Sequence, residues 1–211
     1  LVSLKPFWKW ILGVFSVVVL GHILGVYLGF GLGVGSKAPD SLLLNLFFFG
    51  SEKNITALFS SYLFIVVGLC FHDMAKTQPK HKRGWGWLRN IAVYFACDEW
   101  FAIHDATLNT LGLGPLNVPY WVWIYAAICV VILIRLIPFI QYIPKYLMIY
   151  LVVAAVVFIA GAACMEVVTY QMENFNSVAF QIGMFFEDGL EMSGLLIAVY
   201  GIFSYFWNQS I

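Results

Sequence analysis

The feature that most constrains this chain is a succession of long apolar stretches separated by short polar connections. The stretches lie near residues 7–34, 54–73, 87–108, 118–140, 144–170 and 178–207. A helix needs about 20 predominantly apolar residues to cross the hydrocarbon core of a bilayer. We therefore expect an all-α fold, a polytopic membrane helical bundle of about six transmembrane helices. The connections are too short for a soluble domain, so residues 1–211 are expected to form a single transmembrane domain.

The composition agrees with a chain that is largely surrounded by lipid. Hydrophobic residues make up 62% of the sequence and charged residues only 10%, whereas a soluble domain carries about 25% charged residues. The formal net charge at pH 7 is zero, which gives no basis for binding nucleic acid. The lipid bilayer is the expected partner, and other membrane subunits or a homo-oligomer remain open.

The basic residues predict which side of the membrane each connection faces. Five of them lie between Met74 and Asn90, where the second stretch connects to the third: Lys76, Lys80, Lys82, Arg83 and Arg89. The positive-inside rule assigns a connection of this kind to the cytoplasm. With an even number of spans, both termini are then expected on the cytoplasmic side, and tryptophans near the span ends would form an interfacial belt.

The acidic residues are concentrated in the predicted membrane helices. Those in or near the third, fifth and sixth stretches are Asp98, Glu99, Asp105, Glu166, Glu187, Asp188 and Glu191. A single charge at the centre of a bilayer costs about 3 kcal/mol on insertion scales. Arg135 is the basic residue that falls within a span, and it can extend to the cytoplasmic face. Protons, bound cations, a water-filled cavity or a partner subunit must therefore balance these acids.

Depth along the helices indicates that most of these acids can meet. At about 1.5 Å of rise per residue, Asp98 and Glu99 lie near mid-membrane, and Glu187 and Glu191 reach a similar depth from the other side. Glu187 and Glu191 share one helix face. In contrast, Glu99 and His104 point to different sides of a regular third helix, so they can converge only if that helix is surrounded or locally distorted.

Carboxylates combined with histidine suit divalent transition metals. We therefore predict a metal site whose identity of ion is open, with the ligands Asp98, Glu99, His104, Glu166, Glu187, Asp188 and Glu191. Side chains that could support these ligands are His22, Glu52 and Asp105. Haem is disfavoured, because His22 and His104 are the single histidine pair at matched depth. No HExxH, P-loop, nucleophile elbow or dinucleotide fingerprint occurs, so no catalytic residue is assigned.

Four short motifs follow one another along the chain. They are Ser51-Glu52-Lys53-Asn54-Ile55 with Phe59-Ser60-Ser61; Asp98, Glu99, His104 and Asp105; Met165-Glu166; and Glu187, Asp188, Glu191, Met192 and Gly194. In type and order they resemble the motifs of a family of uncharacterised bacterial multipass membrane proteins, with Asp for Glu at 105 and 188. The resemblance implies a multipass protein of the bacterial inner (cytoplasmic) membrane whose acids belong together. It implies no activity.

Three functions remain open from the sequence. The first is a divalent-metal site that serves a membrane-embedded hydrolase or oxidoreductase acting on a lipidic or hydrophobic substrate. The second is a proton or cation channel or transporter that uses the same acids as its path. The third is a non-catalytic subunit of a membrane complex, whose acids meet basic residues of a partner. The metal site is the leading hypothesis, and whether the protein is an enzyme is left open.

Overall fold

The described part of the chain is entirely helical. A computed structural model describes residues 4–28, 42–50, 53–104, 118, 120–172 and 178–209. The helices in these ranges are α1 (Leu4–Val26), α2 (Leu42–Phe47), α3 (Ile55–Thr77), α4 (Lys82–Phe101), α5 (Tyr120–Ile140), α6 (Lys145–Ile159), α7 (Glu166–Tyr170) and α8 (Val178–Gln209). A 3₁₀ turn at Pro79–His81 joins α3 to α4, and a π-helical segment at Ala160–Met165 joins α6 to α7. The all-α prediction is confirmed.

Five helices in the described ranges are long and apolar enough to cross a membrane. They are Pro6–Val26, Ile55–Thr77, Tyr120–Ile140, Lys145–Tyr170 and Val178–Trp207. The sequence predicted about six membrane spans. The predicted span that is not among these five helices corresponds to α4. It is 20 residues long, which is enough to cross a bilayer, but it is too polar to qualify by composition. The charged residues responsible are Lys82, Arg83, Arg89, Asp98 and Glu99.

The packing separates a buried centre from an apolar exterior. Helix α3 packs against α4 and α8, and Leu63, Met192 and Val199 in this centre are completely buried. In contrast, α5 and α6 expose rows of aliphatic side chains, among them Ile134 and Val156. A soluble protein rarely exposes extended apolar faces, and they are typical of contact with lipid. The fold therefore suggests a membrane-embedded bundle.

The 3₁₀ turn at Pro79–His81 and the first residues of α4 are called the basic turn. It lies at the same end of the bundle as the start of α1 and the end of α8. The rings of Phe7 in α1 and Phe203 in α8 have their centroids 5.7 Å apart. Gln78, which follows α3, donates from Nε2 to the hydroxyl of Tyr205 at 3.1 Å. Its Oε1 accepts a hydrogen bond from the indole N–H of Trp85, also at 3.1 Å. These contacts attach the turn between α3 and α4 to the last turns of α8.

Asn54 caps α3, as its position before an apolar run predicts. Its Oδ1 accepts a hydrogen bond from the backbone N–H of Ala57 at 3.0 Å, and its Nδ2 donates to the carbonyl of Phe48 at 2.7 Å.

We expect Asn54→Ala to lower the free energy of unfolding by about 2 kcal/mol, because both bonds are lost. Asn54→Ser should cost less, because its hydroxyl oxygen can still cap the helix. Thermal unfolding in detergent tests this order, and equal losses for the two variants would contradict it.

Candidate functional site

A cavity of about 560 Å³ lies in the half of the bundle away from the basic turn. Helices α3 to α8 and the π-helical segment contribute to its walls. The ionisable side chains that line it are Asp98, Glu99, His104, Glu166, Glu187, Asp188 and Glu191. These are the seven residues predicted as metal ligands. Among the acidic residues that the structure describes, Asp73 alone does not line this cavity.

The walls of this acidic cavity carry no lysine or arginine in the described part of the chain. The remaining surface is largely aromatic or aliphatic, formed by residues such as Phe64, Phe95, Phe158, Phe180 and Met184. His104 is the one cationic candidate for six carboxylates in the described walls. Protons or a bound cation would have to balance the remaining acids within these walls, because an uncompensated buried charge is strongly destabilising.

Asp98 holds the chain in a tight turn where α4 ends. Ala102 has a left-handed backbone conformation (φ 53°, ψ 46°), and its N–H donates to the carbonyl of Asp98. The Asp98 carboxylate then accepts the backbone N–H of His104 at 2.9 Å and lies 3.2 Å from its Nδ1. The sequence predicted a span near 87–108; α4 covers Lys82–Phe101, and residues 105–108 lie outside the described residues. This turn is the local distortion that allows Glu99 and His104 to line the same cavity.

A left-handed alanine costs about 1 kcal/mol relative to an ordinary helical conformation. Strain of this kind persists where the surroundings determine the backbone, and it is frequent at functional sites. At Ala102 the two bonds from His104 to Asp98 provide that support. The turn is thus a built feature of the cavity wall and not a simple helix end.

Glu187 is bound by a neighbouring helix that the sequence analysis did not connect with it. Only 5% of Glu187 is exposed, and the hydroxyl of Thr169 donates to its Oε2 at 2.5 Å. Thr169 lies three residues after Glu166, so both residues share a face of α7. A threonine in an apolar stretch carries no signal of its own. Its spacing from Glu166 is the one hint available from the sequence.

The connection between α2 and α3 closes one side of the acidic cavity. The N–H of Gly50 donates to Oδ2 of Asp188 at 2.7 Å, and Gly50 has a positive φ of 81° that favours glycine. The N–H of Phe49 donates to Nδ1 of His22 at 3.1 Å. His22 is 2% exposed and stacks on Phe185. It therefore binds this connection on the side away from the cavity and does not line the cavity itself. Glu52 and Asp105, the other two predicted supporting residues, lie outside the described residues.

The π-helical segment Ala160–Met165 touches α8 at the level of the acids. A Cβ atom at Gly161 would stand 2.5 Å from the carbonyl oxygen of Glu187 and 2.9 Å from the backbone nitrogen of Glu191. Both atoms belong to the backbone, so they cannot move aside as a flexible side chain would. π-helical turns within α-helices frequently mark functional sites. Gly161 therefore sets the separation between the helix that carries Glu166 and the helix that carries Glu187, Asp188 and Glu191.

The acids surround a space rather than converge on one point. Among the described residues, no three His, Cys, Asp or Glu side chains are placed to hold a metal ion together. Part of the reason is that Asp98, Glu187 and Asp188 already accept hydrogen bonds from the protein. Glu191 lines the same cavity as the carboxylates of Glu99, Glu166, Glu187 and Asp188.

Trp121, which lies near the start of a predicted span, lines this cavity. It is 7% exposed, and its ring lies 4.9 Å from that of His104 between centroids. Its indole N–H is buried and has no hydrogen-bond partner in the part of the chain that the structure describes. Because a buried donor is normally paired, this one is an exception in the cavity wall.

Comparison with known proteins gives a family without an activity. A family model described as a domain of unknown function (DUF8692) matches residues 10–206. No match was found among curated proteins or among solved structures. The match covers nearly the whole chain and is consistent with the resemblance to an uncharacterised family. The bacterial origin, the number of spans and the four motifs do not follow from it.

Proposed function

The chain belongs to the DUF8692 family, and from that premise we propose that it is an integral membrane protein that binds a divalent cation in its acidic cavity. The observation that carries this proposal is the gathering of six carboxylates and His104 around one space without a lysine or arginine in the described walls. Each charge in hydrocarbon costs about 3 kcal/mol. The summed cost of six charged carboxylates would exceed the total free energy of unfolding of an ordinary protein, which is about 5–15 kcal/mol. A bound cation offsets that cost.

The location that we propose is the cytoplasmic membrane of a bacterium, with α4 as the sixth crossing and both termini on the cytoplasmic side. The apolar exterior of α5 and α6 and the five long apolar helices support a membrane protein. The basic turn after α3 supports the orientation. Because that turn lies beside the end of α8 and the start of α1 lies at the same end, both termini would share its side of the membrane.

The cation that we propose keeps part of its water shell. The described ligands do not converge as they stand, while a cavity of about 560 Å³ has room for an ion with several waters at about 30 Å³ each. Hard divalent ions commonly bind in this way, through one or two carboxylates and retained water. His104 would extend the choice to transition metals. A Lewis acid at this place, facing an apolar wall, suits a membrane-embedded enzyme that acts on a lipidic substrate.

Elemental analysis tests the proposed cation site. We expect about one divalent ion per chain in the purified, detergent-solubilised protein, and its loss in Glu99→Gln/Glu191→Gln, which removes two charges from the cavity. Asp73→Asn is the matched control, because Asp73 is exposed and lies outside the cavity. Absence of metal from the wild type after incubation with Mg²⁺, Mn²⁺ and Zn²⁺ would reject the proposal.

The second candidate is transport of protons or cations through the same cavity. The lack of three converging ligands among the described residues favours it, since a transported ion must be held loosely enough to leave. In this case Glu191→Gln should abolish ion flux into liposomes that carry the purified protein. Flux that is equal in wild type and variant would remove this candidate.

A further inference from the structure

A second cavity, of about 700 Å³, opens at the end of the bundle that carries the basic turn. It lies between the start of α4 and the last turns of α5. Three cationic side chains line it, Lys80, Arg83 and Arg135, and Asp and Glu are absent from its described walls. Arg135 belongs to a different helix from the other two, so the fold brings these charges together from positions far apart in the chain.

These cations are available to a ligand. Among the described residues, neither Lys80 nor Arg83 nor Arg135 forms a salt bridge, and all three are exposed. By comparison, Lys76 in the same region is paired with Asp73 at 3.7 Å. The start of α4 at Lys82 adds the partial positive charge of a helix N-terminus to the same place. The cavity is therefore a concentration of unbalanced positive charge.

Apart from His81 and Tyr142, the rest of this cavity is apolar. Its walls include Val131 and Ile132 of α5, together with Trp87 of α4. Val131 is 58% exposed and Trp87 is 55% exposed, so these side chains continue the lipid-facing surface up to the charges. A free anion would use the cations and leave this apolar wall without a partner. A molecule with an anionic head and an apolar tail would contact both.

We propose that this basic cavity binds the phosphate headgroup of an anionic phospholipid from the cytoplasmic leaflet. Arginine binds phosphate through paired N–H donors, and basic pockets between membrane helices on the cytoplasmic side recognise anionic lipid headgroups. The acyl chains lie along the exposed face of α5. The lipid thereby joins α4 to α5 across the gap where the cavity opens, and this binding is independent of the acidic cavity.

Binding of short-chain lipids to the full chain in detergent tests the proposal. We expect dioctanoyl phosphatidylglycerol to bind the wild type, with the apparent Kd weakened about fivefold for each cation removed. Arg83→Gln/Arg135→Gln should then bind roughly thirtyfold more weakly. Lys80→Gln and Lys82→Gln form a matched pair, because Lys80 lines the cavity and Lys82 does not. The first should weaken binding and the second should leave it unchanged.

Two further probes separate the sources of the anion. Dioctanoyl phosphatidylcholine, whose headgroup has no net charge, should bind more weakly than phosphatidylglycerol by at least the factor seen in the double arginine variant. Inorganic phosphate should compete only weakly. Equal binding of the two lipids, equal effects of Lys80→Gln and Lys82→Gln, or phosphate binding as tight as that of phosphatidylglycerol would each overturn the proposal.

Discussion

Glu191→Gln is expected to stabilise the cation-free protein and to abolish its stabilisation by divalent cations. In the absence of a cation, Glu191 shares the acidic cavity with five other carboxylates, and replacing it by a neutral amide should raise the free energy of unfolding by about 1–3 kcal/mol. For a chain of this size each kcal/mol raises the melting temperature by about 2–4 °C. A cation at 100 times its Kd adds about 2.7 kcal/mol to the wild type, and the variant should lose this gain.

Thermal unfolding in detergent tests both expectations. The melting temperature with chelator gives the stability of the cation-free protein, and the melting temperatures with a series of divalent cations give the stabilisation by each cation. Asp73→Asn serves as the control, because Asp73 is paired with Lys76 on the surface, and it should follow the wild type in both conditions. If Glu191→Gln melts at the wild-type temperature with chelator, Glu191 is not charged in the cation-free protein. If the variant also keeps the full cation effect, Glu191 takes no part in binding.

Gly161→Val is expected to abolish cation binding although every ionisable side chain is retained. The added Cβ would meet backbone atoms of Glu187 and Glu191 at 2.5 and 2.9 Å, so the π-helical segment and α8 must move apart. Inserting atoms into a close contact costs about 1–3 kcal/mol. The same movement displaces Glu166 from the acids of α8, and a site assembled from both helices loses its geometry.

The control for this variant is Gly13→Val, because a Cβ at Gly13 meets nothing within 4 Å. Both variants replace a helical glycine by valine, so their intrinsic helix propensities change alike and the difference isolates the contact with α8. The measurements are the bound metal per chain and the melting temperature of each variant. Normal metal content in Gly161→Val would show that the spacing between the π-helical segment and α8 does not govern the site.

The acidic residues could be found from the sequence because charge is rare and expensive in a membrane helix. Glu99, Glu166 and Glu191 each stand out in this way, and the helical rise places them at similar depths in the membrane. Neither property depends on how the helices pack. His22 shows its limit, because depth alone grouped this residue with the acids, whereas the structure places it behind the connection at Phe49.

The contacts that complete the cavity could not be predicted in the same way. Thr169 and Glu187 are 18 residues apart, and Gly50 and Asp188 are 138 apart, so no local spacing relates them. The break after α4 was also hidden, because Ala102 is a good helix former whose left-handed conformation depends on bonds made by its neighbours. A tryptophan near a span end, such as Trp121, is expected at the membrane interface, while the packing of the helices decides that its ring faces His104.

The helical fold, the apolar exterior and the acidic interior of this chain can be read from its residues alone. These properties follow from residue type and period, which act over a few turns of helix and are the same wherever the helix packs. The packing of the helices, by contrast, brings the acids to one cavity with an aromatic wall and brings Lys80 and Arg135 to another. Such groupings depend on how helices far apart in the chain meet, and at Gly161 the absence of a side chain allows that approach.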